Sequence, residues 1–360
     1  MKICFIGSMP RYNYSGGRLL ALNFAEALSR SKENAVSFYT NSLTSMLDEF
    51  PADSRLSLRV SDNWGKRLRF EHKFDVVIIV PQLAAIETHF KMLQFAKRVS
   101  RKVVLLNFES PNWINEVSPF KRDESNWDGW KLIASEANAI LSISAESDKF
   151  ARIFYRNINP NLDYGYCYTC INSFAADSVT APLVPSKRVI MLTRRDAHKG
   201  FASLDVFESS AFRGYEVCVA FGSGALTKLE ENRITKSLSQ YGVGFRPLGL
   251  IAGRAKFAIL KDSKALFFPT RFEGFGIPPL EAGYCGVNVV CSDLPVLREF
   301  GEKAFYYADP DDLNSQRGQL LQALNGNAMA EEDVKRIKRI GKIEECTDRL
   351  SKLLKKFAFS

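Results

Sequence analysis

Features typical of several protein classes are missing from this sequence of 360 residues. It has no apolar run near the roughly 18 residues of a membrane-spanning helix, and its first segment, MKICFIGSMP, is too short for the apolar region of a signal peptide. It also shows no internal repeat and no low-complexity tract. With 46% hydrophobic and 25% charged residues, we expect a globular enzyme of the cytoplasm.

The pattern of the cysteines argues against two kinds of framework, disulfide bonds and structural zinc. The total of seven is odd, and Cys4, Cys218 and Cys291 lie inside apolar runs, which favours reduced core thiols over disulfides. Cys167 and Cys170 form a CxxC pair, but no second pair accompanies them, so we expect no zinc site.

Positive charge is in excess. The net charge of +9 calls for an anionic partner or surface. RNA-binding aromatic signatures, zinc-finger spacing and helix-turn-helix signals are all missing, and the basic residues are dispersed, so we expect no nucleic acid partner. Phosphorylated small molecules and anionic lipid remain as candidates.

Two basic stretches, 89–102 and 331–357, place apolar residues at helical spacing among cations. A packed helix with a solvated charged face explains each of them. The alternative is a helix whose basic face lies on anionic lipid, which would bring the protein to the inner face of a membrane. The sequence leaves this peripheral membrane contact open.

Apolar, β-rich segments alternate with helical stretches along the chain. Segments such as DVVIIV (75–80) are continuously apolar, which is typical of parallel strands covered on both faces. Because the length exceeds what one core usually serves, we predict an α/β fold with two Rossmann-like, doubly wound domains facing each other across a cleft. The predicted strands are Lys2–Ser8, Ala35–Thr40, Asp75–Val80, Val103–Asn107, Ile140–Ser144, Arg188–Thr193, Glu216–Phe221, Ala265–Thr270, Val287–Ser292 and Ala304–Tyr307.

A segment with two prolines and small polar residues, SVTAPLVPSK, separates the two halves. We predict an N-terminal domain at 1–178, a linker at 179–187 and a C-terminal domain at 188–340. A final helix at 341–360 could cross back onto the N-terminal domain.

The segment RFEGFGIPPLEAGYCG begins directly after a predicted strand. A helix is expected to start near Ile277, and its N-terminal N–H groups would form an anion site that Gly274 and Gly276 leave open to close approach. Glu273 before the helix and Glu281 in its first turn would flank the anion. A carboxylate accepts two hydrogen bonds and therefore suits a vicinal diol of a ribose or a hexose.

Two further segments follow predicted strands. In TRRDAHKG, Arg194 and Lys199, with Arg195 between them, could place fixed cations on a diphosphate and stabilise it as a leaving group. In SMPRYNYSGGRLL, Gly16 and Gly17 open a helix and would permit a close approach of phosphate, although they could equally just form the turn.

Three tryptophans lie in the loop-like stretch 107–130. Aromatic rings beside hydrogen-bonding side chains suit a saccharide, so Glu109 and Trp113 are candidates for binding an acceptor. The alternative is that Trp113, Trp127 and Trp130 anchor a long loop onto the domain.

Residues 188–313 resemble the C-terminal domain of the retaining GT-B glycosyltransferases of family four. The resemblance rests on an Arg-x4-Lys-Gly segment, Arg194 to Gly200, on the EGFGxPxxEA block from Glu273 to Ala282, and on GVNVVCSDLPVLREFG at 286–301. It implies transfer of a hexose from a UDP-sugar such as UDP-glucose to a hydroxyl of a saccharide or lipid-linked saccharide, with retention, in polysaccharide or glycoconjugate synthesis. It implies no metal and no cofactor.

The same resemblance implies roles for individual residues. Glu273, Arg194 and Lys199 would take part in catalysis, the two cations by holding the diphosphate, and Glu281 would hold the nucleotide ribose. Asp309 and Asp311 spell a DxD but resemble the family's ordinary Pro-Asp segment rather than a metal site. The donor-binding set is Gly16, Gly17, Arg194, Lys199, Gly274, Phe275, Gly276, Ile277 and Glu281.

The first half departs from the family's pattern. Members often carry a histidine at a strand end near the donor sugar, whereas the three histidines here, His72, His89 and His198, are each expected to be solvated. Asn107 and Asn112, with Glu109, follow the corresponding strand instead. Two alternatives remain beside the transferase: a GT-B-fold sugar-nucleotide epimerase and a non-catalytic partner that binds nucleotide sugar.

Overall fold

The computed structural model describes residues 1–9, 15–42, 54–60, 74–82 and 84–359. Contacts divide the chain into two compact units. The first unit is Met1–Cys170 together with Lys342–Ser360, and the second unit is Ile171–Gly341. The predicted linker at 179–187 therefore falls within the second unit.

The described part of the first unit contains a seven-stranded parallel sheet in the order β3-β2-β1-β4-β5-β6-β7. Ile3 on β1 pairs with Val36 on one side and Val76 on the other. Every residue of β4 and β5 is buried, as their continuous apolar runs predict. The strands are β1 Lys2–Gly7, β2 Ala35–Thr40, β3 Ser57–Val60, β4 Val76–Val80, β5 Val103–Asn107, β6 Ala139–Ser142 and β7 Asp163–Tyr166.

Helices cover this sheet, and the last helix of the chain is one of them. The Thr347 hydroxyl donates a hydrogen bond of 2.6 Å to the carbonyl oxygen of Ala27, so the C-terminal helix packs on α1. The helices of the first unit are α1 Gly16–Arg30, α2 Ile86–Val99, α3 Pro111–Val117, α4 Asp128–Glu136, α5 Ala145–Tyr155 and, after those of the second unit, α13 Ile343–Phe359.

The second unit contains a six-stranded parallel sheet in the order β10-β9-β8-β11-β12-β13. Its strands are β8 Ser186–Thr193, β9 Glu216–Phe221, β10 Gly244–Gly249, β11 Ser263–Phe268, β12 Asn288–Ser292 and β13 Tyr306–Ala308. Its helices are α6 Ser173–Asp177, α7 Lys228–Ser239, α8 Gly253–Lys261, α9 Ile277–Tyr284, α10 Pro295–Gly301, α11 Leu313–Asn325 and α12 Glu331–Gly341.

The strand order reverses once in each sheet, between β1 and β4 in the first unit and between β8 and β11 in the second. In open α/β sheets, ligands bind beyond the carboxyl ends of the strands at such a switch point. The prediction of two Rossmann-like, doubly wound units is thus confirmed. The segments that follow β1, β8 and β11 therefore lie where a ligand of each sheet is expected.

Each predicted strand is present, with ends within two residues of the prediction. Three further strands, β3, β7 and β10, were not predicted. They are edge strands with few buried residues, and therefore carry no continuous apolar run. The stretch 107–130, expected to be a loop, forms α3, a 3-10 helix at Glu124–Trp127 and the start of α4. The helical stretch 331–357 is two helices, since it breaks at Lys342.

Among the residues that the structure describes, no helix is both long enough and apolar enough to span a bilayer.

Candidate functional site

The loop after β8 folds back against the loop after β11. Gly200 has a φ of 72°, and a Cβ there would overlap the carbonyl oxygen of Pro269, so only glycine fits. The carbonyl oxygen of His198 accepts hydrogen bonds from the Arg271 N–H (2.7 Å) and the Thr270 hydroxyl (3.0 Å). These bonds bring the two loops together at the switch point of the second sheet.

Two of the predicted site residues form an ion pair across these loops. Lys199 Nζ lies 2.7 Å from Glu273 Oε1, and the two side chains are only 16% and 11% exposed. The Thr193 hydroxyl at the end of β8 supports this arrangement by donating to the Lys199 carbonyl oxygen at 2.9 Å. A cation and a carboxylate are therefore held together where a ligand of this sheet would bind.

The N-terminus of α9 follows Glu273 directly. Gly276 is its N-cap with a φ of 102°, and a Cβ at this position would overlap the Leu297 side chain. Proline in the first turn costs nothing there, because that N–H has no partner within the helix. The Phe275 ring is buried and stacks on Phe300 at 5.1 Å, so the backbone rather than the ring of Phe275 is the part that could meet a ligand.

Glu281, predicted for the first turn of α9, is its fifth residue and lies in the second turn. Its Oε1 is 2.6 Å from Lys256 Nζ on α8, and both side chains are buried. Lys256 was not among the predicted site residues. Its position could have been recognised from the helical spacing, because Lys256 shares the buried face of α8 with Phe257 and Leu260. A lysine on an apolar helix face needs a partner for its charge.

The two arginines after β8 have different partners. Arg194 Nε lies 2.9 Å from Asp196 Oδ2 within the same loop, and the Arg194 side chain is about one-third exposed. Arg195 instead binds Glu230 near the start of α7. Hydrogen bonds from the Thr227 backbone and hydroxyl, with Arg195, lower the pKa of Glu230 to about 2. Arg194 is thus the better placed of the two for a ligand at the switch point.

A family of known proteins matches this part of the chain. Residues 184–342 match the family described as Glycosyl transferases group 1. The matched segment, residues 184–342, is called the group 1 domain below. This group 1 domain coincides with nearly all of the second unit and contains both ion pairs.

One known protein is similar to a short stretch of this chain, and two solved structures are similar to nearly its whole length. A stretch of 86 residues is 39% identical to "O-antigen chain mannosyltransferase B" of Escherichia coli, covering 24% of this chain and 23% of the relative. The sucrose-phosphate synthase of Thermosynechococcus elongatus has a TM-score of 0.73 at 15% identity, covering 100% of both chains. Anabaena HepE, in complex with UDP and glucose, has a TM-score of 0.71 at 13% identity, covering 99% of this chain and 100% of HepE. The chain therefore has the GT-B fold, and the predicted fold class is correct.

The candidate acceptor residues lie outside the group 1 domain, after β5. Glu109 Oε1 is 2.7 Å from Arg122 Nη1, and both side chains are about one-quarter exposed. Trp113 is only 3% exposed and stacks on Phe150 of α5 at 5.7 Å. Its faces are covered by protein, so the structure favours the anchoring interpretation for Trp113 over a saccharide platform. Trp127 and Trp130 are buried in the same way.

The expectation of solvated histidines is wrong for the two that the structure describes. His198 is buried, and so is His89, whose ring packs 5.5 Å from that of Trp130. His89 Nε2 accepts from the Gln82 N–H at 3.3 Å, and burial lowers its pKa. Helical spacing could have predicted the burial of His89, because His89 lies on the same buried face of α2 as Met92 and Leu93. His72 lies outside the described residues.

Gly16 and Gly17 form the first turn of α1. A Cβ at Gly16 would meet nothing within 4 Å, and one at Gly17 would make an ordinary contact with the Phe108 ring at 3.5 Å. Neither glycine has a positive φ. The following residue, Arg18, donates from Nε to the Ser8 carbonyl oxygen at 3.0 Å, and burial lowers its pKa to about 10. The fold itself does not require either glycine, which leaves their predicted role toward phosphate open.

Within the described ranges, no three or more His, Cys, Asp or Glu side chains are arranged to hold a metal ion. Within the DxD segment, Asp309 Oδ1 accepts from the Asp311 N–H and Asp311 Oδ1 from Arg271 Nε, each at 2.8 Å. All seven cysteines are free thiols, including Cys167 and Cys170.

Proposed function

We propose that this protein transfers a hexose from a nucleoside diphosphate sugar to a hydroxyl group of a saccharide or lipid-linked saccharide during synthesis of a polysaccharide or glycoconjugate. The observation that carries the proposal is the Lys199–Glu273 pair at the switch point of the group 1 domain. A diphosphate needs a fixed cation and a sugar needs a hydrogen-bond acceptor, and this pair supplies both groups side by side.

The cations of the site match the charge that such a reaction develops. When the bond between the anomeric carbon and the diphosphate breaks, negative charge grows on the leaving phosphate. Arg194 and Lys199, together with the N-terminus of α9, would stabilise that charge. Lys199 would exchange part of its contact with Glu273 for the diphosphate, which frees the carboxylate to accept hydrogen bonds from the donor sugar.

Retention of configuration is part of the proposal. The acceptor oxygen attacks the anomeric carbon from the face that the diphosphate leaves, and the departing phosphate oxygen takes the proton of the acceptor hydroxyl. This route needs no separate protein base. The proposal also requires no metal, so turnover in excess EDTA should equal turnover without it.

The donor is proposed to be a UDP-sugar such as UDP-glucose. The structural neighbour HepE binds UDP and glucose, which supports this choice. A nucleoside diphosphate mannose is the second candidate, because the E. coli relative is named as an O-antigen chain mannosyltransferase. That name also supports saccharide chains as acceptors.

Release of nucleoside diphosphate tests the proposal. Wild type is incubated with UDP-glucose, UDP-galactose and GDP-mannose, with and without saccharide acceptors, and the released UDP or GDP is measured. Lys199→Met should lower kcat about 100-fold or more, as the loss of one preorganised charge-stabilising donor does. Lys228→Met, which removes an exposed lysine of α7, is the matched control and should leave kcat unchanged.

Three outcomes would reject the proposal or part of it. If wild type consumes no donor under any acceptor condition but binds nucleotide, the protein is a non-catalytic partner. If a sugar nucleotide is inverted without an acceptor, it is an epimerase. If NMR of the product shows the opposite anomeric configuration to that of the donor, retention is wrong.

A further inference from the structure

The second ion pair of the group 1 domain, Lys256–Glu281, differs from the first in its burial. The side chains are 6% and 4% exposed, compared with 16% and 11% for Lys199 and Glu273. Taking two charges out of water is costly, and replacing such a pair by apolar residues is often neutral or stabilising. Stability of the fold alone therefore gives no reason for a lysine and a glutamate at these two positions.

The surroundings of the pair are apolar. Lys256 Nζ lies 5.2 Å from the centroid of the Phe257 ring, and Leu260 on the same face of α8 is buried. Cys285, the residue that caps the C-terminus of α9, has its pKa raised to about 12, chiefly by burial; the positive charge of Lys261 opposes this shift and the negative charge of Glu281 adds to it. A carboxylate without a cation in such a place would take up a proton or turn away.

The position of Glu281 indicates a role for the ion pair in ligand binding. The carboxylate belongs to the helix whose N-terminus follows Glu273. If the donor is a nucleoside diphosphate sugar, as proposed above, Glu281 is the carboxylate that the family resemblance implies for its ribose. A vicinal diol binds well only to an acceptor that is already ionised and correctly oriented. Lys256 approaches from a different helix, so it can hold the carboxylate without itself lying on α9.

We propose that Lys256 is a positioning residue for nucleotide recognition, whose ammonium group keeps Glu281 ionised and oriented to accept hydrogen bonds from the ribose hydroxyls. This inference rests on the proposed function, because it takes Glu281 as the ribose contact. The contrasting role is that of a competitor, in which Lys256 merely occupies Glu281 until a nucleotide displaces it.

The preference of the protein for a ribonucleotide over the 2′-deoxyribonucleotide distinguishes the positioning role of Lys256 from the competitor role. The dissociation constants of UDP and 2′-deoxy-UDP are measured by calorimetry for wild type and Lys256→Met, or those of GDP and 2′-deoxy-GDP if wild type binds GDP. We expect wild type to prefer the ribonucleotide about tenfold or more, and Lys256→Met to reduce that preference to about twofold while weakening ribonucleotide binding about tenfold. Lys335→Met, which removes the lysine of an exposed pair on α12, should behave as wild type.

A purely structural role is excluded by the same measurements. Loss of packing would lower the unfolding temperature of Lys256→Met and weaken both nucleotides equally, which would overturn the inference. Tighter ribonucleotide binding would also overturn it, in favour of the competitor. Lys256→Arg keeps the cation and should recover most of the preference for the ribonucleotide.

The double variant Lys256→Met/Glu281→Gln covers the case in which Lys256→Met does not fold. It leaves no unpaired buried charge, so it should fold. Its preference should equal that of Glu281→Gln alone, because Lys256 acts only through Glu281. A further loss in the double variant would mean that Lys256 binds the nucleotide directly, and the positioning role would be wrong.

Failure of this inference is distinguishable from failure of the proposed function. If wild type binds neither UDP nor GDP, the proposed function fails and this inference fails with it. If wild type prefers the ribonucleotide and Lys256→Met does so equally, only the role of Lys256 is wrong.

Discussion

The two units have the same architecture but use their charged side chains differently. In the second unit, Lys199 and Glu273 are 74 positions apart in sequence and meet because β8 and β11 are neighbours. In the first unit, Glu109 and Arg122 are 13 positions apart, within the segment that connects β5 to β6. The first pair joins two loops at a switch point, whereas the second holds one connection in shape.

This difference bears on where function is found in a doubly wound unit. A local ion pair can be explained by the stability of its own segment. An ion pair between loops that follow different strands places two charges at the site where ligands of this fold bind. The family match falls on the unit that contains the Lys199–Glu273 pair between two loops. The predictions below test whether the first unit really lacks such a site among its described residues.

The largest expected effect is on stability, at Trp113. Trp113→Ala removes a buried ring that stacks on Phe150, and should lower the free energy of unfolding by about 3–5 kcal/mol, measured by urea titration. The KM for acceptor should stay unchanged. Undiminished stability with a raised acceptor KM would instead support the saccharide-binding interpretation and give the first unit a site of its own.

Two glycines sharpen the comparison of the loop after β8 with the start of α1. Gly200→Ala forces a positive φ on alanine and a clash with the Pro269 backbone, and should cost about 3 kcal/mol of stability. Gly16→Ala meets open space, so its thermal midpoint should stay near that of wild type, while the KM for donor rises if phosphate approaches the backbone there. A wild-type KM in Gly16→Ala would remove the first unit from the donor site.

Glu273 and Glu109, one from an ion pair of each unit, give a matched pair of variants. Glu273→Gln should lower kcat about 100-fold, because it weakens the contact with the donor sugar and the partner of Lys199. Glu109→Gln should change kcat less than about threefold, as expected for a partly exposed ion pair. Equal losses in steady-state assays would mean that both units contribute catalytic carboxylates.

The smallest effect concerns pH and His89. Because burial lowers its pKa in the folded state, the unfolded chain binds the proton more readily, and stability should fall as pH falls below the ordinary histidine value of about 6.5. The slope cannot exceed about 1.4 kcal/mol per pH unit for one proton. Denaturation between pH 7 and 5 measures it. His89→Gln should flatten the profile, and an unchanged slope in that variant would assign the effect to another group.

Several features of the site followed from sequence alone. The glycines and prolines around Glu273 predicted the loop and the helix start, since these residues have restricted uses in a backbone. Lys199 and Glu273 were predicted as site residues from their motifs, but their pairing was not. The burial of Trp113 was one of two alternatives that the sequence left open. The burial of His89 was not predicted, because it depends on which face of α2 meets the sheet.

The sequence by itself determined that apolar strands alternate with helices, that the sheets are parallel, and that charged residues follow two of the strands. Only the tertiary structure decided that Lys199 meets Glu273, that Lys256 meets Glu281, and that His89 is enclosed. The reason is physical: local patterns set the conformation of each segment, whereas the order of strands in the sheet sets which distant side chains come into contact. That order depends on the packing of the whole unit.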